Sequence, residues 1–530
     1  MRTDSAILYQ NSSNSVFLID IPSSITLAQD LQLSSQSFKA AEEEQGASAG
    51  RSGARHLVSG SPPQSPYPCL PEPKNEAARI RVMERVSLTE RHFHEVQVIP
   101  FIRDSLRQIK EGYREYSHDQ GSSWCLPRSL MGLIEDPRNV LSKGKTRQDC
   151  NASLLSRSGK KRKHEWMAND AIFSLTEDSL SSNLLSSIPP LILSPGINRF
   201  ENQSEIRNAE VKNPSSSPAL IRIRRDAQEC SNQQEHFANF TVAPQSGFTL
   251  CTLPIQRKTE GILPLAPIPG LTIARKFNFI VLDPPWPNRS ARRSAHYATY
   301  PPWDMDSLTT TIGSILKTHL YTVSDPPAQF CSLGHRLGEC GQQSRQSIAA
   351  IWVTNSERSR MAAHDSLHAA GLLVQEEWIW VKTTTVGEPV MPLESLWRKP
   401  YEILVIGQKE ESPAKLRDES KTRKRLIAAV PDIHSRKPNL KEVIEKVFFS
   451  RPVNGDDTCN NGDQNIDLSD RNRDTQRLID ARTEIPCKAN RAVIEYTAME
   501  VFARNLTAGW YACGDEALKF NSDEWWSVDE

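Results

Sequence analysis

The sequence of 530 residues has no surplus of charge, because 64 Lys and Arg residues balance 64 Asp and Glu residues. This balance excludes a whole-chain attraction to nucleic acid or to a membrane, so electrostatic binding must come from local patches. No run of about 18 apolar residues is present to span a bilayer, and the N-terminus lacks the charged-then-apolar layout of a secretory signal. We therefore expect an intracellular protein without a membrane partner.

The ten cysteines include no C-x-x-C pair. The most closely spaced cysteines, Cys331 and Cys340, have no histidines at the spacing of zinc ligands, so we expect no metal site. We expect thiols that stay reduced in the nucleus or cytosol. The chain also lacks a G-x-G-x-x-G motif after an early strand, which argues against a nicotinamide or flavin cofactor.

Aromatic residues are concentrated in the second half, where nine of the eleven tryptophans lie from Trp286 onward. Residues 1–245 are rich in Ser, Gln, Asn and Pro, and tracts such as 59–66 bury too little apolar surface to offset the entropy of ordering. We expect a largely low-complexity region, mostly disordered, with short helical islands at 101–113 and 170–185. The basic cluster 160–163 indicates either a nuclear import signal or a solvated charge run.

From residue 246 to 522, β-rich runs alternate with helical patterns, which is typical of a parallel sheet covered by helices. A helix should begin near Asn439, because Leu440, Val443, Ile444 and Val447 repeat at helical spacing. The predicted strands are 277–282, 348–353, 376–381, 401–407, 499–502 and 510–513. Together these elements predict a Rossmann-like α/β domain followed by a short tail at 523–530.

Two segments of this domain, 324–347 and 452–497, lack the periodicity of a helix or strand. They are too long to be ordinary loops of a compact domain. We interpret them either as insertions or as translated intron sequence, and in both cases we expect the domain to fold without them.

The motif Asp283-Pro284-Pro285-Trp286 directly follows the apolar run 277–282. The exocyclic amine of a nucleobase is a poor nucleophile, and a carboxylate and a carbonyl that accept its two N–H bonds would orient it. Proline offers no N–H to compete for these carbonyls, and Trp286 provides a face for an extruded base. The motif thus predicts methyl transfer to a base nitrogen, with an ordinary turn as the alternative.

The residues after this motif favour the functional interpretation. Segment 287–297 contains three arginines and a tyrosine, a mixture suited to holding phosphates and stacking bases. We assign Asn288, Arg289, Arg293 and Tyr297 to a loop that closes over substrate. The alternative is an exposed, solvated loop.

A second substrate segment is predicted between Lys382 and Glu388, which flank a polar, Gly-containing stretch after a strand. Trp378 and Trp380 alternate along that strand. At least one of them is expected to belong to the core rather than to a base-stacking platform.

Further blocks follow in a fixed succession along the chain: Trp352-Val353-Thr354-Asn355, Lys399-Pro400-Tyr401-Glu402, His434-Ser435-Arg436-Lys437-Pro438 and Phe502-Ala503-Arg504-Asn505. With the Asp-Pro-Pro-Trp motif, they resemble the MT-A family of eukaryotic N6-adenine methyltransferases over residues 246–520, apart from the segments 324–347 and 452–497. The resemblance implies a Rossmann-like methyltransferase domain with a permuted motif order, in which the catalytic strand precedes the cofactor-binding elements.

The resemblance also implies S-adenosyl-L-methionine as the cofactor. Lys437 is suited to its methionine carboxylate, and Arg504 and Asn505 to the ribose and carboxylate region. The full set of implied cofactor residues is Asp283, Lys437, Arg504, Asn505, Asp515 and Glu516. Catalysis is assigned to Asp283, Pro284, Pro285 and Trp286.

The sequence departs from the family pattern at two places. The final turn reads Cys513-Gly514-Asp515-Glu516 where the family has Trp-Gly-Asn-Glu, and a carboxylate cannot donate to a ribose oxygen. The family's acid on the preceding strand corresponds to Cys251-Thr252 here. Either the affinity for the cofactor is reduced or the pocket is rebuilt with other groups.

The resemblance therefore implies an S-adenosylmethionine-dependent adenine N6-methyltransferase that acts on RNA, with a small nuclear RNA as the expected RNA substrate, or on DNA. We expect nucleic acid as the partner and the nucleus as the location. The alternative is an inactive nucleic-acid-binding partner subunit of a methyltransferase complex.

Overall fold

A computed structural model describes residues 4–29, 55–68, 75–84, 86–116, 123–130, 189–225, 237–255, 266–287, 305–322, 346–396, 398–409, 422–452 and 491–528. These ranges contain most of the predicted second domain and several parts of the N-terminal half. The predicted island at 170–185 and the basic cluster 160–163 lie outside them.

The strands are short and rich in β-branched and aromatic residues, which favour a pleated, half-buried surface. In the first half they are β1 (Ile7–Gln10), β2 (Val16–Ile19), β3 (Arg55–Ser59), β4 (Ser129–Leu130), β5 (Leu191–Ile192), β6 (Gly196–Phe200), β7 (Val211–Lys212), β8 (Ala219–Arg224), β9 (Phe237–Val242) and β10 (Gly247–Thr249). In the second half they are β11 (Phe279–Leu282), β12 (Ile348–Val353), β13 (Leu373–Lys382), β14 (Tyr401–Gln408), β15 (Arg423–Ala429), β16 (Ser450–Pro452), β17 (Arg491–Val493), β18 (Ala498–Val501), β19 (Trp510–Cys513) and β20 (Trp526–Val528).

The helices of the described residues are α1 (Ile21–Ala28), α2 (Glu76–Met83), α3 (Leu88–His92), α4 (Ile99–Tyr116), α5 (Met305–His319), α6 (Glu357–Ala369) and α7 (Lys441–Phe448). One turn of π-helix, Phe93–Val98, joins α3 to α4. Asp20 caps α1 by accepting a hydrogen bond from the Ser23 backbone N–H, as helix N-caps commonly do. No helix within the described ranges has the length and apolar character needed to cross a bilayer.

The largest sheet joins twelve of the described strands in the order β1-β2-β15-β13-β14-β12-β11-β18-β19-β10-β7-β5. Strands β2, β15, β13, β12, β11, β18, β19 and β10 run in one direction, and β14 runs in the opposite direction between β13 and β12. Their carboxyl ends therefore meet at one edge of the sheet, which is the edge where open α/β sheets bind ligands.

Helices cover both faces of this sheet. Residues alternate between the two faces along each strand, so Ile280 and Leu282 of β11 pack with α4, α5 and α6, while Phe279 packs with α1 and α7. A third core lies under the smaller sheet β6-β8-β9 and includes the buried Ile221. The molecule is thus a mixed α/β fold, as the sequence predicts.

The predicted elements of the second half are confirmed with small shifts at their ends. Strands β12 and β19 have the predicted bounds, and β13 begins three residues before the predicted start at 376. Helix α7 begins at Lys441, two residues after Asn439. The amphipathic island at 101–113 is the central part of α4, which docks its buried Ile102, Leu106 and Ile109 on the sheet.

The boundary predicted near residue 246 requires correction, because described parts of the N-terminal half belong to the main sheet. Strand β2 pairs in parallel with β15, and all four of its residues are buried. Its apolar run is only four residues long within a Ser- and Asn-rich stretch. A composition-based reading of that stretch therefore missed it.

The predicted insertions also require narrower bounds. The Tyr496 ring stacks on Phe449 with centroids 4.0 Å apart, and the Thr497 N–H donates to the Asn278 side chain. The Ser347 hydroxyl donates to the Tyr321 carbonyl. Residues 346–347 and 491–497 therefore belong to the packed domain, while residues 323–345 and 453–490 lie outside the described part.

Replacing Phe17 with Ala tests whether the N-terminal strand is part of the fold. Phe17 is fully buried between β15 and the helices, so Phe17→Ala should lower the free energy of unfolding by about 3–5 kcal/mol. Urea unfolding of the full chain measures this change. Leu88→Ala, at a side chain that is 75% exposed, should change it by no more than about 0.5 kcal/mol; equal values for both variants would contradict the integration of β2.

Candidate active site

The candidate site lies at the carboxyl edge of the main sheet. Asp283 directly follows β11, and its backbone N–H donates to the carbonyl of Val501 at the end of β18. Lys382 ends β13, and Glu402 lies at the start of the inverted strand β14. Because the strand ends are adjacent, side chains that are far apart in sequence meet here.

The Asp283 carboxylate lies between two cations. Its Oδ1 is 3.3 Å from Lys437 Nζ, and its Oδ2 is 3.5 Å from Arg504 Nη1. All three side chains are only 16–21% exposed. Partial burial strengthens these attractions relative to surface ion pairs, so both cations hold the carboxylate at the edge of the sheet.

Glu402 continues this row of charges on the side of β13. It accepts hydrogen bonds from Lys437 and, at 2.7 Å, from Lys382 Nζ. Burial alone would raise the pKa of Glu402, but the two lysines outweigh burial and hold its pKa well below the ordinary value. Burial likewise opposes the charge of Lys437, but Asp283 and Glu402 outweigh it and raise the Lys437 pKa. Both groups are therefore charged at neutral pH.

Arg504 extends the row in the other direction. Its Nε donates to Glu516 Oε2 at 3.1 Å, and Glu516 also pairs with Lys519 at 2.9 Å. The Nη1 of Arg504 donates to the Ser435 carbonyl at 3.2 Å. Charges of alternating sign thus follow the carboxyl edge from Lys382 to Lys519.

Three turns beside the site have left-handed backbone conformations. Ser435 has φ of 72°, Phe502 has φ of 61° and Gly514 has φ of 141°. Non-glycine residues rarely adopt such values and tend to do so at functional sites. A Cβ at Gly514 would lie 3.1 Å from the Phe502 Cα, so the turns after β18 and β19 pass too closely for a side chain there.

A pocket opens between these turns. Its lining includes Asp283, Trp352, Lys437, Asn439, Glu500, Phe502, Arg504 and Asn505. Asn505 Nδ2 is buried and has no hydrogen-bond partner among the described residues. A buried donor without a partner is costly, so this amide is a candidate contact for a ligand.

Asp515 lies apart from that pocket and has partners of its own. Its Oδ1 accepts a hydrogen bond from the Thr252 hydroxyl at 2.7 Å and one from Arg207 Nη1 at 3.1 Å. Of the implied cofactor residues, the structure therefore places Asp283, Lys437, Arg504, Asn505 and Glu516 together. Asp515 is held beside them by Arg207.

The Asp-Pro-Pro-Trp motif differs from expectation in two details: the Pro284 carbonyl already has one backbone donor, and Trp286 is buried. The Pro284 carbonyl does accept a backbone hydrogen bond, from the Trp286 N–H at 2.8 Å. Trp286 is only 7% exposed, and its indole N–H donates to the Trp352 carbonyl at 2.7 Å. Trp286 is thus a buried wall that fixes the turn after β11, with little of its ring left for stacking on a base. Pro285 is exposed.

The predicted substrate residues are only partly described. Asn288, Arg289, Arg293 and Tyr297 lie outside the described residues. Lys382 belongs to the row of charges because it pairs with Glu402. The exposed Glu388 lies in a turn in which its carbonyl accepts the Thr384 N–H at 2.7 Å.

The tryptophans of β13 are core residues. Trp378 is fully buried and stacks on Phe448 with centroids 5.7 Å apart, and Trp380 is 3% exposed. Arg425 on the neighbouring strand is also buried, and it forms a bidentate pair with Glu376. Arg425 is therefore a buried structural residue of the sheet.

Sequence reasoning missed two groups beside the site. His94 in the π-helix is hydrogen-bonded to the Tyr401 hydroxyl at 2.8 Å, and burial lowers the pKa of this histidine to about 4. Tyr401 directly precedes Glu402. Glu500 lines the pocket, and burial together with Asp283 raises its pKa to about 8. Short π-helical turns often lie at functional sites, but the sequence of this one has no local signature.

Comparison with known proteins shows what the domain is similar to. The family model described as MT-A70 matches residues 340–454, which include β12 to β15 and the Lys437 turn. The resemblance to the MT-A family that the motifs indicate is confirmed by this match and by the relatives that follow.

Among these relatives are two fungal proteins named N6-methyladenosine RNA methyltransferase MTA1. The protein of Cryphonectria parasitica is 31% identical over 253 residues, 47% of this chain and 54% of the relative. That of Pyricularia oryzae is 30% identical over 311 residues, 58% of this chain and 62% of the relative. The mouse N(6)-adenine-specific methyltransferase METTL4 is 27% identical over 289 residues, 53% of this chain and 44% of the relative. The chain thus spans about half to three fifths of the fungal proteins it matches.

Replacing Glu500 with Gln tests the electrostatics of the pocket. The Glu500 pKa is raised from 4.5 to about 8 in the folded protein, so the folded state holds a proton that the unfolded state releases between these values. The free energy of unfolding therefore falls across this window as the pH rises. In Glu500→Gln this loss should be absent, so the variant gains stability relative to the parent between pH 5 and about 8.

Urea unfolding at several pH values measures the difference between the two proteins. Glu495→Gln, at an exposed acid just before β18, is the matched control; it keeps Glu500, so its free energy of unfolding should fall with rising pH as that of the parent does. A constant difference between Glu500→Gln and the parent across the window would contradict the raised pKa.

Proposed function

We propose that the protein is an S-adenosylmethionine-dependent N6-adenine methyltransferase that acts on RNA, with DNA adenine as the second substrate. The observation that carries the proposal is the Asp283 carboxylate, held between Lys437 and Arg504 where β11 ends. The names of the relatives, RNA and N(6)-adenine-specific methyltransferases, support it.

The residues present fit the proposed cofactor, the methyl donor of MT-A70 methyltransferases. When bound, S-adenosylmethionine supplies an activated methyl group on a sulfonium centre. Lys437 offers a cation for the cofactor's carboxylate, and the unpartnered Asn505 amide offers a buried donor in the same pocket. Asp283 is available for the amino group of either the cofactor or the substrate. Glu402 keeps Lys437 charged, which preserves its attraction for a carboxylate.

The protein contributes orientation rather than a nucleophile. Asp283 accepts one N–H of the target amine, and the Pro284 carbonyl accepts the second through the lone pair that the Trp286 N–H does not use. Asp283 or water then takes the proton that the amine loses. Because Lys437 and Arg504 neutralise Asp283 before substrate arrives, little reorganisation accompanies the reaction.

We also infer the permuted motif order of this family. Asp283 follows β11, whereas the proposed cofactor contacts Lys437, Arg504 and Asn505 follow the later strands β15 and β18. The proposal includes a small nuclear RNA as the substrate and the nucleus as the location. The basic cluster 160–163 supports the latter.

A second candidate function is that of an inactive nucleic-acid-binding subunit. The carboxylate at Asp515 favours it, because the family has an amide at this position. The intact Asp283 and Lys437 pair favours activity more strongly, since these two groups contact the reacting amine and the donor in the proposal.

Replacing Asp283 with Asn tests the proposed chemistry. The substitution keeps the shape of the side chain but removes the charge that orients the amine, so methyl transfer should fall by about 10²-fold or more. Transfer from deuterated S-adenosylmethionine to adenine-containing RNA and DNA oligonucleotides, measured by nucleoside mass spectrometry, gives the rate.

Asp104→Asn is the matched control, since Asp104 is 70% exposed on α4 and pairs only with Arg107 in the described part of the chain. Its rate should equal that of the parent. Equal rates for Asp283→Asn and the parent would refute the assignment of Asp283. Nucleic-acid binding by the parent without any transfer would favour the inactive subunit.

A further inference from the structure

The small sheet β6-β8-β9 packs one of its faces against the third core. On β8 that face carries the buried Ile221 and Ile223. Because successive residues of a strand point to opposite faces, Arg222 and Arg224 point away from this core. The strand register places residues of β6 and β9 beside them. The resulting outer surface, which we call the basic face, consists of Arg199, Arg222, Asn239, Arg224 and Phe237.

The charge of this surface has one sign. The three strands contain three arginines and no Asp or Glu. Arg199 on β6 lies directly opposite Arg222 on β8, and neighbouring strands are about 4.8 Å apart. Like charges that face each other across two strands destabilise a sheet. An anion bound between the two guanidinium groups would remove this repulsion.

Arg222 is oriented by two contacts on β9. Its Nε donates to the Asn239 side-chain oxygen at 3.1 Å, and its guanidinium carbon lies 5.8 Å from the centroid of the Phe237 ring. The bond to Asn239 uses only one of the five N–H donors of a guanidinium. A planar guanidinium beside a half-buried aromatic ring suits the phosphates and bases of a single strand, because it binds the first in bidentate fashion and the ring stacks on the second.

The pair formed by Arg224 does not close the basic face to an anion. Arg224 lies 3.3 Å from Glu201, which directly follows β6, and the two side chains are 49% and 76% exposed. An exposed pair of this kind contributes about 0–1 kcal/mol. A phosphate group can therefore take the place of Glu201.

We propose that the basic face binds the backbone of single-stranded RNA, away from the catalytic edge of the main sheet. The inference rests on the proposed function in one respect, since the strand held here is the strand that is methylated. It goes beyond that function because it places a second RNA contact on the N-terminal half of the chain.

The third core connects the basic face to the candidate active site. Ala503 and Ala517 belong to this core, and each is adjacent in sequence to a residue of the row of charges, Arg504 or Glu516. The inner face of the small sheet thus packs behind the turns that carry the site, and the basic face lies about one layer further out, roughly 10 Å. An RNA must extend well beyond its target nucleotide to reach both. The contribution of the basic face should therefore depend on the length of the RNA.

The test is fluorescence anisotropy of the full chain with a labelled, adenine-containing single-stranded RNA of about 20 nucleotides, which is longer than a single binding site of this kind. The double variant Arg199→Ala/Arg222→Ala should bind this RNA about tenfold more weakly, because it removes two charged contacts. The slope of log K against log salt concentration should fall in magnitude by about 1.4, since each phosphate contact on a single strand contributes about 0.7.

Methyl transfer by the same double variant separates anchoring from chemistry. The KM for the long RNA should rise by about the same factor as the dissociation constant, with kcat unchanged. For an adenine-containing trinucleotide, which occupies only the catalytic edge, kcat/KM should equal that of the parent.

Arg79→Ala/Arg81→Ala is the matched control. It removes the same number of charges from α2, a helix none of whose residues is buried, and should leave the affinity and the salt slope unchanged. Arg199→Glu is a second variant, at an exposed position. It should weaken the long RNA at least as much as the double variant does, with an unchanged midpoint of thermal unfolding.

Wild-type affinity and salt slope in both Arg199→Ala/Arg222→Ala and Arg199→Glu would overturn the inference and leave the proposed function intact. Displacement of the labelled RNA by poly-glutamate as effectively as by unlabelled RNA would indicate an acidic protein partner and would also overturn the inference. RNA binding by the parent without methyl transfer to either RNA would instead overturn the proposed function.

Discussion

The Asp283 carboxylate between Lys437 and Arg504 is the interaction on which the rest of the site depends. One carboxylate beside two partly buried cations is stable only if other acids balance them, because an unpaired buried charge is costly. Glu402 balances Lys437, and Glu516 balances Arg504. The alternation holds the proposed reactive and cofactor-binding groups, which follow different strands of the main sheet, in fixed mutual positions, as preorganised catalysis requires.

The N-terminal half supports this row of charges from outside. Asp432, in the loop before Lys437, is fully buried between Arg128 at 3.8 Å and Arg436 at 2.7 Å. Arg128 also donates to the carbonyls of Val430 and Pro431. On the opposite side, His94 holds the Tyr401 hydroxyl next to Glu402. Chain segments with an unremarkable composition thus fix both ends of the Lys437–Glu402 contact.

The strand bounds and the position of Asp283 could be predicted from the sequence, because both depend on local pattern. Strand β12 is a run of six buried residues, and its bounds follow from that run alone. Asp283 follows a strand directly, so its place at the carboxyl edge follows from the parallel arrangement. Contacts between side chains that are far apart in the sequence could not be predicted in this way. The hydrogen-bonded Arg207 and Asp515, for example, are 308 positions apart. The stacking role predicted for Trp286 was also beyond local pattern, because an aromatic residue beside an acid serves equally well as a stacking face or as a buried wall.

The burial of Trp286 has a consequence for substrate recognition. With its indole N–H bound to the Trp352 carbonyl, Trp286 fixes the path of the chain as it leaves β11, and the exposed surface at this point is Pro285. In the proposed function, an extruded adenine is therefore held mainly by hydrogen bonds to Asp283 and Pro284, and by groups outside the turn. Hydrogen bonds distinguish an amino group from a carbonyl better than stacking does, since every base has a stacking face. Under the proposed function, the site therefore selects a base that carries an exocyclic amine over one that carries only carbonyls.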